Sequence, residues 1–207
     1  MIPLIKPTDK LVKEYIKKFN VDKRYSRSDR AIANLFNAFP DNNILEHVLL
    51  KVSVINDFYS TNIFGTFRMA EHICGLNIDG KIQKGETDAV RLISTGHEIK
   101  SKKNNKEIKF YSFATKYCSW HNREKYAIYD SFVEKMLLAY KREHKFSEFK
   151  HSDLRDFSKF MDIINDFINY YGLSNHDLKD VDKFLWIYGK EIQENKAKVN
   201  RKISLPE

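Results

Sequence analysis

Apolar side chains recur every three or four residues along almost the whole chain, and this spacing constrains the fold most. One segment, with Ile44, Val48 and Val52 among its members, is apolar on most sides, which predicts a largely buried helix. Glycine and proline, which punctuate strands and turns, number only 7 and 4 in 207 residues. The sequence therefore predicts an all-α fold, a compact two-lobed globule of eight or nine helices.

Capping residues, glycines and prolines predict where these helices begin and end. The predicted helices are one begun by Thr8-Asp9, one from Ser28-Asp29 to Pro40, one begun by Asp41-Asn42, then 63–73, 86–95, about 107–121, 130 to about 141, one from Ser152-Asp153 to Gly172, and a last one around 181–192 with a frayed basic tail. Residues 77–85 are expected to form a loop. We expect a single globular unit, with one lobe at 44–140 and another at 1–43 plus 141–207.

The chain is basic, with 36 lysines and arginines against 28 acidic residues and a net charge of +8. A charge of this size permits binding to a polyanion such as DNA. The two cysteines, Cys74 and Cys118, occur without a secretory leader or an apolar run of transmembrane length. We therefore expect a cytoplasmic protein with reduced thiols, associated with the nucleoid if it binds DNA.

Metal and cofactor sites find little support in the spacing of potential ligands. Cys118 and His121 are three residues apart and can face the same way on a helix. A zinc site needs four ligands, and the sequence has no second pair with the spacing of metal ligands. The sequence also has no phosphate loop, dinucleotide fingerprint or serine nucleophile motif. We expect neither a metal nor a cofactor.

A lone carboxylate, Asp130, follows a predicted helix and the short apolar stretch 126–129 and occupies the N-cap of the next helix. Free backbone N–H groups and the positive end of the helix favour its charged form. This arrangement suits a site that stabilises a developing cation. An ordinary capping aspartate fits the same pattern.

Basic and aromatic residues alternate before and within this region. Aromatic rings offer stacking surfaces for bases, and cations contact phosphates without reading sequence. The lysines predicted to contact the DNA backbone are Lys100, Lys102, Lys103, Lys106 and Lys109. The alternative is that the rings belong to the core and the lysines form a solvated face.

The region from about 44 to 140 resembles the helix-hairpin-helix DNA glycosylases. The resemblance rests on Ser112-Phe113-Ala114-Thr115, on Tyr126-Ala127-Ile128-Tyr129, on Asp130-Ser131-Phe132-Val133 with Met136-Leu137, and upstream on 52–61, which stands where the family has a Gln-Gln helix end. Two features differ from the family: residues 105–111 lack the glycines of its phosphate-gripping turn, and Asn56-Asp57 replace the Gln-Gln pair.

The resemblance implies that Asp130 is the catalytic residue, stabilising an oxocarbenium-like sugar and orienting the attacking water. Ser112 stands where members with lyase activity keep a lysine, which implies a monofunctional hydrolase. Lys116 or Lys109, one turn to either side, is the alternative source of an amine nucleophile.

A base flipped from double-stranded DNA would need a pocket, and the residues predicted to form it are Asn56, Asp57, Tyr59, Trp120 and Tyr129. For Asn56 and Asp57 the alternative is a role in the turn at Thr61. Two other functions remain open: a helical nucleic-acid-binding module without catalysis, and a helical protein-interaction domain.

Overall fold

The structure, a computed structural model, describes residues 4–96 and 107–203, and these contain helices and no strand. The all-α prediction is confirmed, with ten α-helices against the eight or nine expected. The helices are α1 Asp9–Val21, α2 Lys23–Ala38, α3 Leu45–Phe58, α4 Thr66–Gly75, α5 Asp79–Lys84, α6 Asp88–Ser94, α7 Tyr111–His121, α8 Ser131–His144, α9 Phe157–Tyr171 and α10 Leu178–Ile203, with a short 3-10 helix at His151–Arg155.

The additional helix, α5, lies in the segment predicted to be a loop, so that prediction is wrong. Ile78 and Ile82, one turn apart, are both buried, and this pair anchors the short helix. Gly85, at φ +75°, ends it in the left-handed conformation that glycine adopts easily. Six residues are too few for a clear helical period, which explains why the sequence pattern missed it.

Several predicted helix starts are shifted because a different residue provides the cap. Helix α2 begins earlier, since Asp22 Oδ1 accepts a hydrogen bond of 2.8 Å from the Arg24 N–H. Helix α9 begins at Phe157 with Asp156 as its cap, because Asp153 is used in the preceding 3-10 turn, where Oδ2 accepts from the Lys150 N–H at 2.7 Å. At the other end, α10 continues to Ile203, into the segment expected to fray.

Packing brings the two ends of the chain together. Helix α10 packs against both α1 and α8, α3 packs against α4, and α6 against α7. Edge-on contacts of Tyr15 with Phe184 and Tyr188 fill the α1–α10 contact. The segment before α1 is fixed by Ile5, whose N–H donates to Tyr188 Oη at 2.9 Å and whose carbonyl accepts from Tyr140 Oη at 2.9 Å. The division into lobes at 44–140 stays a prediction.

A buried lysine holds the corner between α2 and α3. Lys51 is fully buried, and its Nζ donates to the carbonyls of Phe39 (3.1 Å) and Asp41 (2.9 Å) and to Asn42 Oδ1 (2.7 Å). Burial lowers the pKa of Lys51 to about 8, although Asp79 and Asp41 oppose the shift. The lysine thus satisfies carbonyl groups at the end of α2 that have no helical partner.

None of the described helices combines the length and the apolar character needed to cross a membrane.

Candidate functional site

Helices α2 and α10, the middle of α7 at Lys116 and the end of the α7–α8 connection at Ile128 and Asp130 enclose a pocket of about 160 Å³. Aromatic rings supply much of its wall, and charged side chains supply the rest. The rings are Phe19, Tyr25, Phe58, Tyr59 and Trp186, and the charged residues are Asp29, Lys116, Asp130, Lys179, Asp182 and Lys183. Ligand pockets for drug-sized molecules span roughly 300–1,000 Å³, so this one has room for a single small ring system.

Asp130 lies in the wall of this pocket at the N-cap of α8, as its place in the sequence predicted. Its Oδ1 accepts a hydrogen bond of 2.8 Å from the Phe132 N–H, which fixes the carboxylate against the helix end. Its Oδ2 has only an ionic contact, 3.6 Å from Lys116 Nζ, and the side chain is 21% exposed. The helix end therefore anchors one oxygen, while the other makes no hydrogen bond among the described residues and is paired only with Lys116.

Lys116, rather than Ser112, brings a reactive group to the pocket. Its side chain is 1% exposed, and its Nζ donates to Ser112 Oγ at 2.7 Å and to the Tyr129 carbonyl at 2.9 Å. Burial lowers the pKa of the Lys116 ammonium, and the negative charge of Asp130 opposes that shift. Ser112 Oγ also donates to the Tyr129 carbonyl, at 3.2 Å, and does not line the pocket.

Of the aromatic residues predicted for a base pocket, Tyr59 lines it and the other two do not. Trp120 lies behind Tyr59 and donates from Nε1 to Tyr59 Oη at 3.0 Å. The indole ring is covered by cations, with Arg123 Cζ 4.1 Å and Lys179 Nζ 4.9 Å from its centroid. Trp120 thus supports Tyr59 from behind the wall of the pocket.

Tyr129 is 4% exposed, and its ring packs against Tyr111 and Phe160 with centroids 4.9 and 5.7 Å apart. It therefore belongs to the core, and its contribution near the site is its carbonyl, which binds Lys116. This is the core alternative that the sequence left open for the aromatic residues.

Asn56 and Asp57 do not line the pocket. Asn56 closes the turn after α3: its Oδ1 accepts from the Ile63 N–H at 2.8 Å and from Thr61 Oγ1 at 3.0 Å, and its Nδ2 donates to the Ile63 carbonyl at 3.2 Å. Asp57 is exposed, and its carbonyl accepts from the Ser60 N–H at 3.2 Å. Both residues shape the turn, as their alternative interpretation predicted.

Of the lysines predicted to contact DNA, Lys109 is exposed and lines a separate depression of about 630 Å³ beside α6 and the start of α9. Arg91 and Arg155 also lie in that depression. Lys100, Lys102, Lys103 and Lys106 lie outside the described residues.

The sequence analysis missed an ionic group that α2 and α10 contribute to the pocket. Lys179 Nζ lies 3.3 Å from Asp29 Oδ1 and 3.7 Å from Asp182 Oδ2, and its side chain is 8% exposed. Burial works against the charge of Lys179, but the carboxylates of Asp29 and Asp182 outweigh it and raise the pKa of its ammonium. With Lys116, Lys183 and Asp130, the pocket holds three carboxyl and three amino groups.

A sequence signal for this group does exist. Lys179, Asp182 and Trp186 follow one another at spacings of three and four, so they share one side of α10, and the buried Val181 and Leu185 lie next to them. Charges at such spacing usually mark a solvated face, which is why the pattern carried no functional prediction.

Within residues 4–96 and 107–203, no group of three or more histidine, cysteine or acidic side chains is arranged to hold a metal ion. Cys118 is fully buried, and burial raises the pKa of its thiol. His121 instead faces Lys51, with its Nε2 3.3 Å from the Lys51 Nζ.

Comparison with known proteins finds a family for the chain. The family model HI_0787_N, described as an N-terminal domain, matches residues 11–125. A protein of Haemophilus influenzae, named as an uncharacterized protein, is 40% identical over 153 residues, which cover 73% of this chain and 71% of that protein. No solved structure matches the chain. The matched family region includes Tyr59 and Lys116 and ends before Asp130.

Proposed function

The chain belongs to the HI_0787_N family, and for this member we propose hydrolysis of the N-glycosidic bond of a damaged or modified base flipped out of double-stranded DNA. The observation that carries the proposal is Asp130, a carboxylate held at a helix N-terminus in the wall of an aromatic-lined pocket. A carboxylate at that position stabilises positive charge that develops next to it.

The dimensions of the pocket suit a base rather than a whole nucleotide. About 160 Å³ accommodates one ring system, and the rings of Tyr59 and Trp186 supply stacking surfaces. The deoxyribose stays at the opening, where Asp130 is partly exposed. The sugar carbon that loses the base then faces the free Oδ2 of Asp130.

In the proposed reaction the bond between C1′ and the base nitrogen breaks, and the base leaves with the electron pair. Asp130 stabilises the resulting oxocarbenium-like sugar and orients the water that adds to C1′. Lys116 acts as a positioning residue, because its ammonium binds the carbonyl of Tyr129, the residue directly before Asp130.

The alternative within this function is a glycosylase with lyase activity. Lys116 favours it, since its amine lies 3.6 Å from Asp130 and burial lowers its pKa. Against it, the same amine already donates two short hydrogen bonds and is 1% exposed. We therefore retain the monofunctional reaction, in which water is the nucleophile.

The deciding experiment compares the wild type with Asp130→Asn on duplex DNA that carries oxidised and alkylated bases, with the released bases identified by mass spectrometry. Asparagine caps helices about as well as aspartate, so α8 keeps its start. We expect the variant to bind DNA as the wild type does and to lose base release by about 100-fold or more.

The matched control is Asp156→Asn, the same change at the N-cap of α9, where Asp156 Oδ1 accepts from the Lys159 N–H at 3.2 Å. It should release bases at the wild-type rate. Undiminished release by Asp130→Asn contradicts the enzymatic proposal. DNA binding that weakens steeply with salt, without base release by the wild type, points to the binding module instead, and no DNA binding points to a protein-interaction domain.

A further inference from the structure

Asp182, on α10, is a pocket carboxyl that the mechanism above does not use. It lines the same pocket as Asp130, and its side chain is 12% exposed. Its one ionic contact, with Lys179, is 3.7 Å long, and Lys179 lies closer to Asp29, at 3.3 Å. Among the described residues no hydrogen bond reaches the Asp182 carboxyl, so it keeps its full hydrogen-bonding capacity for a ligand.

The surroundings of Asp182 raise the pKa of its carboxyl. The charged and titratable groups that share its pocket are Tyr25 and Asp29 on α2, Tyr59 after α3, Lys116 on α7, Asp130 at the start of α8, and Lys179 and Lys183 on α10. Burial raises the pKa of Asp182 to about 6, against the opposing effect of Lys179 and with a further contribution from Asp130. This carboxyl therefore exchanges its proton near neutral pH.

We propose that Asp182 is the general acid of the reaction and protonates the base as it leaves, so that the substrates are uncharged bases. This inference rests on the proposed glycosylase function. It assigns different tasks to two carboxyl groups in one pocket: Asp130 stabilises the positive charge that develops on the sugar, and Asp182 delivers a proton to the base.

The proton balance of the step is simple. The C1′–N bond breaks, the electron pair goes to the base nitrogen, and the proton of the Asp182 carboxyl neutralises the departing base. Water forms the new C1′–O bond and releases one proton to solvent through Asp130. Asp182 then regains a proton from solvent, and neither an oxidant nor a reductant is needed.

The charge of the base separates this role from a structural one. A purine methylated at N7 already carries a positive charge and leaves as a neutral molecule, so it needs no proton. An uncharged lesion such as 8-oxoguanine leaves as an anion unless an acid protonates it. Loss of a general acid should therefore slow release of uncharged bases selectively.

The experiment measures base release by the wild type, Asp182→Asn and Asp130→Asn from two duplex DNAs, one oxidised to contain 8-oxoguanine and one methylated with dimethyl sulfate. Asparagine matches the shape of aspartate, and circular dichroism checks that the variant is folded. The charge-matched control is Asp162→Asn, an exposed position on α9 outside the pocket.

We expect Asp182→Asn to release 8-oxoguanine about 100-fold more slowly than the wild type, a typical loss for a general acid. Any methylated purine that the wild type releases should leave at the same rate with the variant. The wild-type rate on 8-oxoguanine should fall as the pH rises above about 6, where Asp182 loses its proton, and the residual rate of the variant should lack this fall.

Three results overturn the inference. Asp182→Asn releases 8-oxoguanine at the wild-type rate, or it slows both classes of base equally, or the wild type releases only methylated bases. In each of these the proposed glycosylase function survives. If the wild type releases no base from either DNA, the proposed function fails and this inference falls with it.

Discussion

The Nζ of Lys51 lies 3.3 Å from Nε2 of His121, which joins the corner of α2 and α3 to the last residue of α7. The three N–H donors of the Lys51 ammonium are directed to the carbonyls of Phe39 and Asp41 and to Asn42 Oδ1, so Nε2 of His121 faces a positive charge that favours the neutral imidazole. The rings of Phe36 and Tyr117 pack on the imidazole, with centroids 4.8 and 5.1 Å away. Protonation of His121 would place a second positive charge beside Lys51.

The first prediction concerns acid stability. Burial, with a smaller contribution from Lys51, lowers the pKa of His121 to about 3, against 6.5 for an unperturbed histidine. Because the folded-state pKa is the lower one, the stability from this group is complete above about pH 6.5 and is lost as the pH falls toward 3. We expect the free energy of unfolding to fall by about 2–3 kcal/mol between pH 7 and pH 4.5 through this residue, since each pH unit below 6.5 costs about 1.4 kcal/mol.

Urea denaturation at several pH values tests it. His121→Gln keeps a polar side chain beside Lys51 and does not titrate, so its stability should depend less on pH than that of the wild type. Parallel pH curves for the wild type and His121→Gln would contradict the prediction.

A second prediction concerns Lys51 itself. Replacing it with methionine keeps much of the buried volume but leaves the carbonyls of Phe39 and Asp41 without their side-chain donor, while Asn42 Oδ1 keeps only the hydrogen bond from Tyr117 Oη. Each unsatisfied buried acceptor costs about 1–3 kcal/mol, so we expect Lys51→Met to lose roughly 3–5 kcal/mol in urea denaturation at pH 7. The exposed Lys13→Met should change stability by less than about 0.5 kcal/mol, and a similar value for Lys51→Met would refute the capping role.

The third prediction separates hydrolysis from lyase chemistry. With water as the nucleophile, borohydride should trap no covalent complex between the wild type and duplex DNA containing an abasic site. Lys116→Met should nevertheless lower base release, since Tyr129 and hence Asp130 lose an anchor. A trapped complex that disappears in Lys116→Met would establish Lys116 as a Schiff-base nucleophile and replace the monofunctional mechanism.

A fourth prediction uses two glycines with left-handed backbones, Gly96 at φ +58° and Gly172 at φ +65°. A Cβ on Gly96 would lie 2.7 Å from the Phe110 ring, whereas a Cβ on Gly172 would have no atom within 4 Å. Gly172→Ala should therefore cost about 1 kcal/mol from backbone conformation alone. Gly96→Ala adds overpacking of typically about 1–3 kcal/mol. Equal losses in urea denaturation would show that Phe110 moves aside freely.

The helical class and the N-cap position of Asp130 could be predicted from sequence, because both depend on neighbours within a turn or two. The short α5 could not be predicted, because two isoleucines one turn apart, Ile78 and Ile82, indicate a helix only once the structure shows that both are buried. The role of Asn56 was one of two local alternatives, and its three hydrogen bonds in the turn decided between them.

The far side of the pocket depends on contacts between distant parts of the chain. Asp29 and Asp182 meet around Lys179 only because α2 and α10 face each other across the site. In the sequence, each of these three residues is simply one charged residue on an amphipathic helix. The contact of Lys116 could not be predicted from sequence either. Its position within a mostly buried helix does not indicate that its amine reaches the carbonyl of Tyr129, directly before Asp130.

The placement of Trp186 in the pocket wall and Trp120 behind Tyr59 gives the chain an internal optical reporter. The chain has two tryptophans, so all of its tryptophan fluorescence comes from residues in or next to the wall of this pocket. A base or analogue that stacks in the pocket should quench or shift the ultraviolet emission of unlabelled protein. Occupancy can thus be titrated directly, before any substrate for turnover is known.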